Sequence, residues 1–256
     1  MRAVISTADD RFSYLDKNQS EAGWDITEAK SEKDFSEKDT AILKYPFDAV
    51  SEMGIQRLKS GAKLILLPTK IVPDEITRRF SVVSLMDDPA FTEENAYITA
   101  EGAVFCAMKH APFVLSKEKI AVIGFGRIGR ALTEKLVGLC AEVTVFSRRE
   151  SGRLSAMARG AQGASVQKMI PLLSDFRIIF VTSPDRMIGE RELAYISKSA
   201  YLFDLSGAPY GVDIEYAKEA GVFASRESAL PGRYAPESAA KAMYHAILRA
   251  IGGEIS

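Results

Sequence analysis

The stretch Ile120-Ala121-Val122-Ile123-Gly124-Phe125-Gly126-Arg127-Ile128-Gly129 decides how this 256-residue chain folds. An apolar run suited to a buried strand leads into G-x-G-x-x-G, and an amphipathic segment, Ile128 to Leu139, follows it. Each glycine has a physical task. Gly124 permits the tight turn, Gly126 lets a pyrophosphate approach the backbone, and Gly129 lets helix and strand pack closely. The helix start then offers free N–H groups and a partial positive charge. G-x-G-x-x-G alone is a weak signal, but a strand before it and a helix after it are the context that dinucleotide binding requires. The competing reading is a tight strand–helix turn with no ligand.

Outward from the loop, the next strand is Glu142-Val143-Thr144-Val145-Phe146, followed by Ser147-Arg148-Arg149. Chains that bind NAD usually place an Asp or Glu roughly 20 residues past the glycine loop, to hold the ribose 2′-hydroxyl. Here a hydroxyl and two guanidiniums stand instead. Guanidiniums pair bidentately with phosphate, so the expected cofactor is NADP(H), with NAD(H) second; otherwise both arginines are solvated surface residues. Two later strands, Phe176 to Thr182 and Ala200 to Leu205, run into Thr182-Ser183-Pro184 and Asp204-Leu205-Ser206-Gly207. Ligands bind at the carboxyl ends of such strands. The expected cofactor-binding residues are therefore Gly124, Phe125, Gly126, Arg127, Ile128, Gly129, Ser147, Arg148, Arg149, Thr182, Ser183, Pro184, Asp204 and Ser206. For the last five, ordinary loop chemistry is the alternative.

The rest of the chain alternates strands with helices, the pattern of parallel sheets covered by helices. Strands are expected at Arg2 to Ser6, Thr40 to Lys44, Lys63 to Pro68 and Phe80 to Leu85, with a helix over Phe47 to Ser60 ending at Gly61. Asp16 to Lys38 is polar and receives no assignment. Thr99 to Val114 reads as a helix, then come Lys119 to Ile123, helices near Leu154 and over Glu190 to Ile196, and a last helix from Pro236 to Ile251. The expected fold is α/β with two Rossmann-like, doubly wound parallel-sheet domains, the N-terminal one small and flavodoxin-like. Residues 1–98 form the N-terminal substrate or lid domain, 99–116 a connecting helix and 117–235 the NADP-binding domain. Residues 236–256 form a helix expected to pack back across the domain interface.

Charge excludes little but is informative: 33 Lys and Arg face 34 Asp and Glu, so neither nucleic acid nor an anionic membrane is an expected partner. No run approaches the length of a membrane span, and Met1 to Ser6 shows no leader pattern, so a cytoplasmic protein is expected. Cys106 and Cys140, the two cysteines, lie in apolar, helix-like stretches and read as buried free thiols with no metal-ligand spacing. The two histidines are His110 and His245. His245, beside Lys241 and Arg249, fits a solvated face. His110, near the end of the connecting helix, is either a proton-transfer group in an interdomain cleft or a helix-end packing residue. Asn95 and Glu101 flank the same helix start; Glu101 faces the cleft or stabilises the helix dipole.

With these residues in hand, the chain resembles the A subunits of dipicolinate synthase over most of residues 95–250. The resemblance rests on Thr99, Glu101-Gly102 and His110, on Gly124 to Gly129, on Asp204-Leu205, Pro209 and Gly211-Val212-Asp213. Its most specific piece is Leu230-Pro231-Gly232-Arg233-Tyr234-Ala235-Pro236-Glu237-Ser238-Ala239. More distantly, the layout is similar to D-2-hydroxyacid dehydrogenases. The resemblance implies oxidation of dihydrodipicolinate to dipicolinate with hydride passing to the nicotinamide, a small dicarboxylate-type substrate, and a partner in the form of a flavoprotein-like B subunit. A homo-oligomer is also expected. It makes Arg11, in Ser6-Thr7-Ala8-Asp9-Asp10-Arg11, a candidate catalytic residue beside His110 and Glu101. Two departures stand out: Ala208-Pro209-Tyr210-Gly211 occupies a loop where the family carries a basic residue before Pro-Gly-Gly, and the N-terminal domain is shorter than the family's. Two alternatives remain on sequence grounds. One is a reductase of another small imine or oxo acid; the other is a non-catalytic nucleotide-binding protein with a regulatory or assembly role.

Overall fold

The computed structural model describes residues 2–6, 11, 14–15, 25–44, 46–67 and 72–252. They form two compact units, one from Met1–Asn95 with Pro231–Ser256 and one from Ala96–Leu230. Each is built on a wholly parallel sheet.

In the first unit the strands are β1 (Arg2–Ser6), β2 (Asp25–Ala29), β3 (Thr40–Lys44), β4 (Lys63–Leu67) and β5 (Ser81–Ser84). Their order is β2-β1-β3-β4-β5, the flavodoxin-type winding. Helices α1 (Ala49–Gly54) and α2 (Asp74–Arg79) connect them, and α3 (Pro89–His110) follows. Ala41, Ile42 and Leu43 of β3 and Leu64, Ile65 and Leu66 of β4 are fully buried. These unbroken apolar runs mark strands covered on both faces. β2 carries Asp-Ile-Thr-Glu-Ala at the sheet edge, with only Ala29 buried. An edge strand needs little apolar surface, which is why the polar segment Asp16 to Lys38 hides it. The predicted helix over Phe47 to Ser60 is shorter, closing as a 3-10 turn at Ile55–Arg57.

The second unit contains β6 (Lys119–Ile123), α4 (Arg127–Gly138), β7 (Glu142–Phe146), α5 (Glu150–Met157), β8 (Gln162–Ala164), β9 (Ile178–Val181), α6 (Glu190–Leu193), β10 (Tyr201–Asp204), α7 (Ile214–Glu219) and β11 (Phe223–Arg226). The strand order β11-β10-β9-β6-β7-β8 is the dinucleotide-fold order, reversing between β6 and β9. That reversal opens a crevice at the carboxyl ends of the strands. Its core joins Ile123, Phe146, Ile179, Val181 and Leu202. β8 and β11 go beyond the sequence expectation, because Gln-Gly-Ala and Phe-Ala-Ser-Arg are too short and too polar to show periodicity. No described helix is long and apolar enough to cross a membrane.

Cys106 is buried in α3, but Cys140 is exposed, correcting the expectation of two buried thiols. α4 ends at Gly138, and Cys140 takes a left-handed φ of 60° in the turn that follows. The helix expected from Thr99 begins at Pro89 instead. Asp88 accepts a hydrogen bond from the Phe91 N–H at 2.9 Å, a side-chain cap ahead of a proline at the first helical position.

The last two helices are α8 (Leu230–Tyr234) and α9 (Pro236–Ile251), and α9 completes the first unit. Arg249 Nε of α9 donates to Asp88 Oδ2 at 2.6 Å, and Lys63 Nζ donates to the Ala250 carbonyl at 2.8 Å. Burial alone would raise the Asp88 carboxyl, but Arg249 and the Phe91 and Ala90 N–H groups outweigh it and hold it below its ordinary value. A depressed carboxyl stabilises the fold above the unfolded value of about 3.9 and loses that contribution as pH falls through the folded value. Asp88→Asn, which keeps a capping oxygen but removes the charge, is expected to cost about 1–2 kcal/mol at pH 7. Urea denaturation checks this, and the gap between wild type and variant should narrow below about pH 4.

Candidate dinucleotide-binding site

Gly124 leaves β6 with a φ of +103°, and a Cβ there would lie 2.5 Å from Thr182 Oγ1. Both the left-handed backbone and the close approach of β9's exit loop demand glycine. The loop is pinned from both neighbours: Gly124 N–H donates to Phe146 O at 3.0 Å and Thr182 N–H to Ile123 O at 2.8 Å. A Cβ on Gly129 would collide with the Gly124 carbonyl oxygen, whereas one on Gly126 would meet no protein atom within 4 Å. Thus two glycines serve packing, and the middle one keeps open space. Gly126 is also the N-cap of α4, with no side-chain hydrogen bond to the first turn. Those amides are the donors that a bound anion satisfies at a helix start.

Ser147-Arg148-Arg149, at the exit of β7, comes to the same place. A cavity of about 250 Å³ is lined by Gly124, Phe125, Gly126, Phe146, Ser147, Arg148, Arg149, Val166, Ser183 and Met187. β7 ends in Phe146, so no carboxylate stands where NAD-binding chains hold the ribose 2′-hydroxyl. Ser147 is buried and its Oγ donates to the Arg149 carbonyl at 3.2 Å; it shapes the turn as well as lining the cavity. Arg148 Nη2 donates to Asp185 Oδ2 at 2.6 Å. The Arg149 guanidinium has no partner among the described residues.

The remaining expected residues divide. Arg127 and Ile128 open α4, with Arg127 exposed. Ser183 lines the cavity, Thr182 braces the glycine loop, and Pro184 is exposed beside them. Asp204 is wholly buried and committed: it accepts from Ser206 N at 3.0 Å, Ser206 Oγ at 2.6 Å and Val212 N at 3.2 Å, with Arg226 Nε 3.6 Å away. It organises the loop after β10 and presents no oxygen lining the cavity. Ser206 is likewise engaged, accepting from Gly211 N at 2.7 Å. The arginine signal pointed to Arg148 and Arg149, while Phe146, Val166 and Met187 carry no motif that would mark them in a sequence.

The candidate catalytic residues are not gathered on that cavity. His110 is exposed, its ring 5.0 Å from Phe223 and 6.2 Å from Phe203, which gives it aromatic packing at the end of α3. Glu101 pairs with Lys135 Nζ at 3.0 Å; since α3 starts at Pro89, Glu101 lies mid-helix and cannot stabilise the helix start. Asn95 also lies within α3. His245 is half-buried beside Tyr244. Arg11 is half-buried, and a Cβ on Gly232 would sit 3.6 Å from its Cγ. The Leu230–Tyr234 segment and Arg11, two pieces the resemblance singles out, therefore meet. Asp9 lies outside the described residues. Among the described residues no three His, Cys, Asp or Glu side chains cluster as metal ligands.

Residues 94–210 match the NAD-binding domain of the D-isomer specific 2-hydroxyacid dehydrogenases. A curated relative, the dipicolinate synthase A subunit of Bacillus subtilis (strain 168), is 25% identical over 158 residues, covering 62% of this chain and 53% of that protein. The alignment thus spans about half the length of that relative. The solved dipicolinate synthase A subunit from Bacillus halodurans has the same fold, with a TM-score of 0.87 at 21% identity over 99% of this chain and 98% of that one. The apo D-lactate dehydrogenase from Escherichia coli aligns with a TM-score of 0.70 at 14% identity, over 99% and 98% of the two chains. The chain is similar to the dipicolinate synthase A subunits in sequence and fold, and its second unit resembles the NAD-binding domain of the 2-hydroxyacid dehydrogenases.

The glycine geometry separates packing from binding. Gly126→Ala should leave stability within about 1 kcal/mol, the scale of a cap change, while weakening pyridine-nucleotide binding about tenfold or more. Gly129→Ala should destabilise by about 1–3 kcal/mol through overpacking. Urea midpoints and nucleotide titration by fluorescence, run on both variants, check the contrast.

Proposed function

We propose that the chain is an NADP(H)-dependent oxidoreductase of the dipicolinate synthase A-subunit type, oxidising dihydrodipicolinate to dipicolinate beside a flavoprotein-like B subunit. The observation that carries the cofactor reading is the shared cavity. Glycine loop, Arg148 and Arg149 line one space, and β7 ends there without a carboxylate. The uncapped first turn of α4 would take the pyrophosphate, and the two guanidiniums a ribose 2′-phosphate. When bound, the nicotinamide supplies the hydride acceptor; the protein's part is to position the ring and exclude water. The substrate loses a hydride and a proton, and aromatisation drives the step.

The substrate reading rests on the similarity to the dipicolinate synthase A subunits and on a cation at the loop after β10. Ala208-Pro209-Tyr210 lacks a basic residue, but the Arg226 guanidinium lies 3.8 Å from the Tyr210 ring centroid. Arg226 ends β11, at the carboxyl edge of the sheet. A guanidinium thus faces that loop from the neighbouring strand, paired with the buried Asp204 carboxylate at 3.6 Å.

Arg148→Ala and Arg149→Ala should each weaken NADP(H) binding about tenfold or more, the loss of a charge-assisted phosphate contact, and change NAD(H) binding less than about twofold. Isothermal titration with both nucleotides measures this, and equal losses would remove the 2′-phosphate assignment. Freshly made dihydrodipicolinate should produce NADPH absorbance with the wild-type protein alone or with a B subunit. Firm nucleotide binding without that turnover would leave a nucleotide-binding assembly protein.

A further inference from the structure

Arg148 is held in two directions. Behind it, Arg153 Nη1 donates to the Ser147 and Arg148 carbonyls, both at 3.1 Å, which fixes the backbone of the β7 exit. In front, its guanidinium reaches the β9 exit, meeting Asp185 Oδ2 at 2.6 Å and Met187 Sδ at 3.5 Å. Asp185 stands between Ser183 and Met187, and both of these line the cavity with Arg148. The adjoining Arg186 is committed elsewhere, to Asp213 at 2.7 Å, so Arg148 is the cation Asp185 answers to. Both members of the pair are more than half exposed, 58% and 57%. The pair is therefore exchangeable rather than structural. The result is an internal anion seated on one of the two guanidiniums that a phosphate would use, while the second, Arg149, has no partner among the described residues.

We infer that Asp185 is a specificity-determining residue, an internal competitor that occupies Arg148 in place of a ribose 2′-phosphate and so sets the preference between NADP(H) and NAD(H). This rests on the nucleotide reading above. A dianionic 2′-phosphate has to displace the carboxylate and then sits close to it, whereas a 2′-hydroxyl is neutral and tolerates the carboxylate where it is. Asp185 thus lowers the affinity for NADP(H) and leaves NAD(H) untouched, which narrows the discrimination that the arginine pair alone would give.

Asp185→Asn and Asp185→Ala test this by titration with NADP(H) and NAD(H) at fixed ionic strength, since exposed pairs are screened by salt. NADP(H) should bind about tenfold more tightly in both variants, the scale of an exposed ion pair plus one like-charge repulsion. NAD(H) affinity should stay within about twofold, the margin of an interaction a neutral ribose hydroxyl does not need. In the double variant Arg148→Ala/Asp185→Asn, the gain for NADP(H) over Arg148→Ala should fall to about twofold, because only the repulsion is left to relieve. An NADP(H) affinity unchanged or weakened by both Asp185 substitutions, or an equal gain for both nucleotides, overturns the competitor role. If Arg148→Ala is selective against NADP(H) while the Asp185 variants do nothing, only this inference falls. If Arg148→Ala is itself unselective, the 2′-phosphate reading falls with it.

Discussion

The close crossing of β6's exit loop with β9's exit loop sets the form of the nucleotide-binding half. Gly124 and Gly129 approach one another and Thr182 so nearly that no Cβ is tolerated at either position. This contact can exist only where the strand order reverses, because there the chain leaves β6 and β9 to opposite sides. The same contact aims the first turn of α4 at the opening. Phe146 then joins through its carbonyl, which brings the β7 exit and its arginines alongside. Fold and site are thus consequences of one steric condition.

That condition explains what could be read from the sequence. G-x-G-x-x-G encodes a local constraint in residue type, and β6, β7 and α9 lie at the predicted residues. Apolar runs such as Leu64 to Leu66 encode burial on both faces. The elements that escaped are those whose stability comes from neighbours. β2 and β8 are edges, held by backbone pairing that any sequence can make. The start of α3 escaped for a different reason. Asp88-Pro89 is a good helix start, but the residues after it are polar enough to look like a loop.

For the site, residue chemistry was legible and partnership was not. Two arginines at a fixed distance from a glycine loop are visible in one dimension. Nothing in one dimension says that Asp185 answers Arg148, or that Asp204 spends its carboxylate on Ser206 and Val212. Both are encounters between loops that follow different strands. His110 shows the converse: a helix end suggested chemistry, and two phenylalanine rings account for its surroundings.

The first unit is discontinuous in the chain, since its last helix follows the whole of the second. α9 contributes Ala240, Ala242, Met243, Ala246 and Ile247 as buried residues, and Arg249 closes on Asp88. On the ribosome, residues 1–95 emerge first yet must wait for α9. The nucleotide-binding unit, wholly contained in 96–230, has its full sequence earlier. Vectorial synthesis therefore favours the inserted unit as the first to close. Until α9 emerges, residues 1–95 lack the Arg249 partner of Asp88 and the helix whose apolar residues complete the unit, and they are the segment most in need of protection by chaperones.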